Sequence, residues 1–228
     1  MEDGFAPVVN HLEDHMEVLP HPSTTAASAL LWDLRALRMV DVPDGTERIG
    51  SYWFAGTGIR SVTLPESVRK IEQSAFFGCG ELARVAFRGN SRLEELCTRA
   101  FQGSGIEEFV APSSLRTVQQ EAFAECGRLR RVVLNEGLLK LGSEDGEGVF
   151  HDSALEEVVL PSTLRQIEDD VFSECRSLKR VALPDALEEL GAYCFRASGL
   201  QQITIPKSVI AIQKCTFSEC TALKSVDF

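Results

Sequence analysis

At 228 residues, 44% apolar and 25% charged, the chain has the make-up of a soluble folded protein with room for one large domain or two small ones. Acidic residues outnumber basic ones 34 to 23, and the formal charge of −11 disfavours a nucleic acid or an anionic membrane as partner unless one face is strongly basic. No run reaches the ~18 apolar residues of a membrane span, and the acidic start Met1-Glu2-Asp3-Gly4, with no Lys or Arg before Arg35, lacks the basic opening of a secretory signal.

Residues 1–36 read as a leader with a helical cap. If Pro7 to Leu19 is helical, His11 and His15 share one face. Two histidines at that spacing can bind zinc. No third ligand lies near them, and His21 sits between Pro20 and Pro22, so no metal is expected. From Ser23 to Leu37, Ser/Thr cap candidates precede Leu30, Leu31, Trp32, Leu34 and Leu37 at helical spacings. That pattern predicts a helix lying over the first repeat, with Trp32 as its largest contact.

From residue 37 to 228 one phrase recurs. Its openers are Leu37, Ile59, Leu82, Ile106, Leu129, Leu155, Leu178 and Leu200, spaced 22 to 26 residues apart, and a ninth copy starting at Leu223 is cut short. Each full copy closes on a Phe: Phe54, Phe76, Phe101, Phe123, Phe150, Phe172, Phe195 and Phe217. A fixed period of this length marks a solenoid, in which each unit buries its apolar face against its neighbours. The opening segment alternates as a strand, with Leu155, Val158 and Leu160 inward and Glu157 and Val159 outward. A proline then ends the strand in most copies (Pro43, Pro65, Pro112, Pro161, Pro184, Pro206). Apolar pairs three apart follow, such as Val68/Ile71 and Leu164/Ile167. The Ala-Phe close, as in Ala75-Phe76, predicts one helical turn on the outer side, giving an α/β-type repeat solenoid. Repeat five departs from the rule: Asn135 replaces the proline, and Ser143 to Gly148 reads as an acidic, glycine-loosened loop.

Three residues after the Phe stands a small side chain, alternately Thr57, Ser104, Ser153 or Ser198 and Cys79, Cys126, Cys175 or Cys220. Successive cysteines are thus two repeats apart, roughly 10 Å at the ~4.8 Å strand spacing, whereas a disulfide needs Cα atoms within about 7 Å. They read as reduced, compact core residues, which suits a cytoplasmic setting.

Val62-Thr63-Leu64-Pro65-Glu66-Ser67-Val68 with Ile71, Ala75, Phe76 and Cys79 resembles the unit of the BspA-like leucine-rich repeat proteins at every signature position. Ile203 to Val209 with Ile212, Phe217 and Cys220 nearly does, with Thr216 in place of Ala. The resemblance implies a right-handed curved stack with a parallel β-sheet on its concave face and short or helical turns on the convex side. It also implies a role as a cell-surface adhesin or a general protein-interaction module.

Two patterns mark the strand face. The outward strand residues alternate in charge: Arg84, then Glu108, Arg131, Glu157, Arg180 and Gln202, with Glu107, Arg130, Glu156 and Lys179 beside them. The alternation fits cross-strand ion pairing better than a binding stripe, since pairing requires it and binding does not. Next to this row runs an uncharged column, Ala86, Val110, Val133, Val159, Ala182 and Thr204. An outward apolar column flanked by charge is the form of an interaction surface, although strand propensity alone also favours Val and Thr. These twelve residues are the candidate protein-contact face.

Nothing reads as catalytic. Gln102-Gly103-Ser104-Gly105 holds only the repeat's small residue, histidine is missing from seven of eight repeats, and no phosphate-binding glycine loop follows a strand. The acidic runs Glu168-Asp169-Asp170 and Glu144-Asp145 with Glu147 lack calcium-loop spacing and read as solvated surface. The expectation is a non-enzymatic, cytoplasmic scaffold with no cofactor, an unidentified protein partner, no nucleic acid and no membrane insertion. Two alternatives are a fragment of a secreted or cell-surface adhesin, and the recognition part of a larger enzyme. Leu223 to Phe228 is a strand without its turn and Phe, which leaves room for end-to-end self-association there.

Overall fold

The computed structural model describes residues 8–12, 15–19, 38–143 and 147–228. The predicted cap helix, with Trp32, lies outside the described residues, as do residues 144–146 of the repeat-five loop. From residue 38 onward the chain winds as a parallel β-solenoid of about eight turns, and each turn passes along three sides.

The first side is built from Met39–Asp41, Ser61–Leu64, Arg84–Phe87, Glu108–Val110, Arg131–Val133, Glu157–Val159, Gln202–Thr204 and Ser225–Asp227. They pair in parallel, with Val40, Val62 and Val85 in line, then Phe109, Val132 and Val158, then Ile203 and Val226. Strand alternation sends these residues inward and leaves the candidate face outward. Regular pairing lapses between Arg84–Phe87 and Glu108–Val110 and again around residues 179–183.

The second side carries two-residue strands, from Arg48–Ile49 and Lys70–Ile71 through to Glu189–Leu190 and Ala211–Ile212. Their inward residues Ile49, Ile71, Leu96, Val118, Leu141, Ile167 and Leu190 are fully buried. Between the two sides, Ser67, Ser114, Thr163 and Ser208 each donate a hydrogen bond to a carbonyl one repeat earlier, those of Thr46, Leu93, Leu138 and Leu187, at 2.6 to 3.0 Å. The hydroxyl two residues past the proline position therefore ties turn to turn.

The third side corrects the α/β expectation, because no helix occurs among the described residues. Two backbone positions explain why. The residue two before the Phe is left-handed in seven copies (Tyr52, Ser74, Arg99, Glu121, Asp170, Tyr193, Cys215), and the residue two after it is left-handed in all eight. A left-handed residue costs roughly 1–2 kcal/mol for a non-glycine side chain and cannot continue a right-handed helix. In exchange, alternate N–H groups point to the next repeat. Ser74 donates to Thr98 O at 3.0 Å, Phe76 to Ala100 O at 2.8 Å, and Gly78 to Gln102 O at 2.8 Å. The Phe side is a third inter-repeat ladder.

A second correction concerns the leader. Val8–Leu12 and His15–Leu19 form an antiparallel hairpin, and Val9 pairs with Asp41 on the edge of the first repeat strand. Val8, Val9 and Val18 favour extended backbone, and the edge strand offers unpaired groups that a helix would leave open. The register places Leu12 opposite His15 and His11 opposite Met16, so the helical His11/His15 pairing does not form.

Inside, the eight repeat rings make one continuous file from Phe54 to Phe217, with centroids 5.1 to 5.8 Å apart and ring planes within 13° of parallel. Beside it the small-residue slots pair. Thr57 Oγ1 lies 3.6 Å from Cys79 Sγ, and Ser104–Cys126, Ser153–Cys175 and Ser198–Cys220 repeat the contact at 3.4 to 3.6 Å. Each of these thiols donates to the carbonyl of the preceding repeat's Phe at 2.8 to 3.1 Å. All four are free. The structural unit is thus a pair of repeats, a hydroxyl level followed by a thiol level.

Candidate functional site

The outward side chains of the long strands form two adjacent rows. The uncharged row holds all six expected residues, Ala86, Val110, Val133, Val159, Ala182 and Thr204. Val110 is 48% exposed and Val159 39%, Ala182 and Thr204 are exposed, and Ala86 and Val133 are half-buried. The register extends the row backward to Thr63 and Asp41. Thr63 occupies the same place after Val62 as Val133 after Val132, so the repeat spacing itself marks it.

The charged row holds Arg84, Glu108, Arg131, Glu157, Arg180 and Gln202, and its centre is self-satisfied. Arg131 binds Glu108 at 2.5 Å on one strand and Glu157 at 3.3 Å on the other. Beside them Arg130 pairs with Glu156. Similar pairs recur away from this face, Arg69–Glu94 at 2.7 Å and Lys70–Glu95 at 2.8 Å. Charge alternation therefore holds neighbouring repeats in register all around the stack, each exposed pair contributing about 0–1 kcal/mol. It does not single out the strand face. The uncharged row does, together with Arg84 and Arg180, which have no ion pair or side-chain hydrogen bond among the described residues.

Elsewhere, the run Glu168-Asp169-Asp170 is built into the stack and is not merely solvated. Lys140 reaches Glu168 at 2.9 Å, and Asp169 Oδ1 accepts the Ala192 N–H at 2.7 Å. Burial pushes the Asp170 carboxyl upward, opposed by its hydrogen bond from Ser173. Ser173 also lies 2.9 Å from His151 Nδ1. This histidine–serine contact has one member out of reach, because Ser173 is fully buried. A nucleophile must meet its substrate, and this hydroxyl cannot. Among the described residues no group of three His, Cys, Asp or Glu side chains could hold a metal ion. No described helix is long and apolar enough to cross a membrane.

The family model for the BspA type leucine rich repeat region matches residues 31–145 and 146–228, with six copies. Three solved structures share the fold. A leucine-rich repeat protein from Bacteroides ovatus is 23% identical with a TM-score of 0.65, over 99% of this chain and 64% of that one. A leucine rich cell surface protein from Faecalibacterium prausnitzii is 23% identical with a TM-score of 0.50, over 84% of this chain and 59% of that one. The pneumococcal vaccine antigen PcpA is 18% identical with a TM-score of 0.51, over 84% and 60%. The chain thus spans about 60% of the length of each. No curated protein matches the sequence.

Proposed function

Because the chain belongs to the BspA-type leucine-rich repeat family, we propose that it is a non-catalytic interaction module that binds a protein partner through its long-strand face. One observation carries this reading: the uncharged outward row centred on Val110, Val133 and Val159 runs beside a row whose central charges answer one another. Desolvating that row on binding gives a gain of about 25 cal/mol per Å² of apolar area, and it leaves intact the ion pairs that hold the repeats together. Val133→Glu with Val159→Glu places two charges in the row, one at the half-buried and one at the exposed position, and circular dichroism checks that the variant is folded. The folded double variant should lose partner capture in a pull-down; capture equal to that of the parent protein contradicts the proposal.

A second reading, display at a cell surface, is favoured by the description of the Faecalibacterium neighbour as a cell surface protein. Free thiols do not separate the two settings, because the slot cysteines are held two repeats apart and cannot pair in either. Cleavage of the chain by protease added to intact cells is the expected outcome of display. Full protection would contradict it.

A further inference from the structure

The charged row of the long-strand face is paired at its centre and open at both ends. Arg84 stands one repeat before Glu108 and Arg180 one repeat after Glu157. Between them Arg131 is shared by the two carboxylates, so two carboxylates against one guanidinium leave the centre with one negative charge. At the ends Arg84 and Arg180 form no ion pair among the described residues, and Lys179 beside Arg180 forms none either. A ligand suited to this face is apolar in the middle and acidic at both ends.

Spacing fixes its backbone. Outward residues of paired strands recur about every 4.8 Å along the stack, and Arg84 and Arg180 stand four repeats apart, roughly 19 Å at that spacing. Same-face side chains of an extended segment recur every ~6.6 Å and slip by nearly 2 Å per row. An α-helix laid along the stack presents a side chain every ~5.4 Å, a mismatch of about 0.6 Å per row. Three rows can be met in succession by a helix and not by a strand. At 1.5 Å per residue, about 13 helical residues cover the 19 Å.

Resting on the reading of this face as the contact site, we propose that its occupant is an acid-ended amphipathic helix of a protein partner. Its apolar stripe lies over Val110, Val133 and Val159, and its carboxylates reach Arg84 at one end and Arg180 at the other. Two synthetic fluorescent helical peptides test this. They share one leucine stripe and differ only at two end positions about 14 residues apart, which lie within ~40° of one helix face and ~21 Å apart along it, Glu in one and Lys in the other. Fluorescence anisotropy against the 228-residue protein at low salt should show the Glu-ended peptide binding about tenfold more tightly than the Lys-ended one. The gap should close at high salt, where the Debye length shrinks to a few ångströms. Arg84→Glu with Arg180→Glu should reverse the order in a protein that still unfolds cooperatively, at a cost of about 1 kcal/mol or less for each like-charge neighbour it creates.

Equal affinity of the two peptides, an unreversed order in that variant, or no binding of either peptide at millimolar protein overturns the acid-ended helix. If Val133→Glu with Val159→Glu abolishes partner capture while Arg84→Glu with Arg180→Glu leaves it unchanged, only the charge inference falls. If both variants leave capture unchanged, the face itself is wrong.

Discussion

Phe123→Ala is expected to lower the unfolding free energy by about 3–5 kcal/mol, the range for deleting a buried aromatic ring and leaving its cavity. Phe123 sits mid-file, fully buried, with Phe101 at 5.4 Å, Phe150 at 5.6 Å and Phe109 tilted against it at 4.9 Å. The walls cannot collapse into the gap, since each neighbouring ring is fixed by its own backbone ladder to the repeats above and below. In a stack stabilised by nearest-neighbour interfaces, this substitution weakens two interfaces at once. Phe217 is the contrast. It is only partly buried and has one ring neighbour, Phe195, at 5.8 Å, so Phe217→Ala should cost roughly 1–2 kcal/mol, one incompletely buried side chain's worth. Chemical denaturation of the two variants measures both. Equal losses at the two positions would show that the file does not act as a continuous core.

Alkaline pH should destabilise the fold through its buried thiols. Burial pushes Cys126 up to about 11 and Cys175 up to about 12 from an ordinary 9.0, although hydrogen bonds from Ser104 and Ser153 act in the other direction. Below pH 9 folded and unfolded chains both hold these protons, and the slots keep their full contribution. Above it the unfolded chain releases protons that the folded chain retains, so stability falls as pH rises, until the folded thiols ionise near 11 to 12. At about 1.4 kcal/mol per pH unit per thiol, the two together remove roughly 5 kcal/mol by pH 11. Cys126→Ser with Cys175→Ser isolates the effect, because serine already fills the alternate slots. Under reducing conditions, the stability of the parent should fall relative to the variant by roughly 4 kcal/mol between pH 9 and 11, the unfolded thiols being half-ionised already at pH 9. Parallel pH profiles would refute the buried-thiol account.

The repeat spacing made the stack, the Phe file and the thiol–hydroxyl alternation legible, because each depends on residue type recurring at a fixed interval. The helical turn expected at Ala-Phe does not form, for a physical reason. Its two left-handed positions are mostly filled by Ser74, Arg99, Glu121, Tyr193 and their like, residues that carry no visible preference for that backbone. Only Gly56, Gly78 and Gly103 hinted at it. The leader misled in a similar way: His11 and His15 at helical spacing drew attention from the β-branched Val8, Val9 and Val18, and an edge strand 20 residues further on decided the outcome. At the candidate face, alternation predicted the pairing of Arg131. It could not show that Arg84 and Arg180 go unanswered, since that depends on where strand pairing lapses.

The face assignment is decided most directly by comparing partner capture across two sides of the same molecule. Phe77 is 42% exposed on the turn side, so Phe77→Glu is a charge substitution of the same kind away from the strands. Val133→Glu with Val159→Glu should lose the partner while Phe77→Glu, equally folded, retains it. Loss from Phe77→Glu with retention by the strand-face variant would place the contact on the turns and contradict the strand-face assignment.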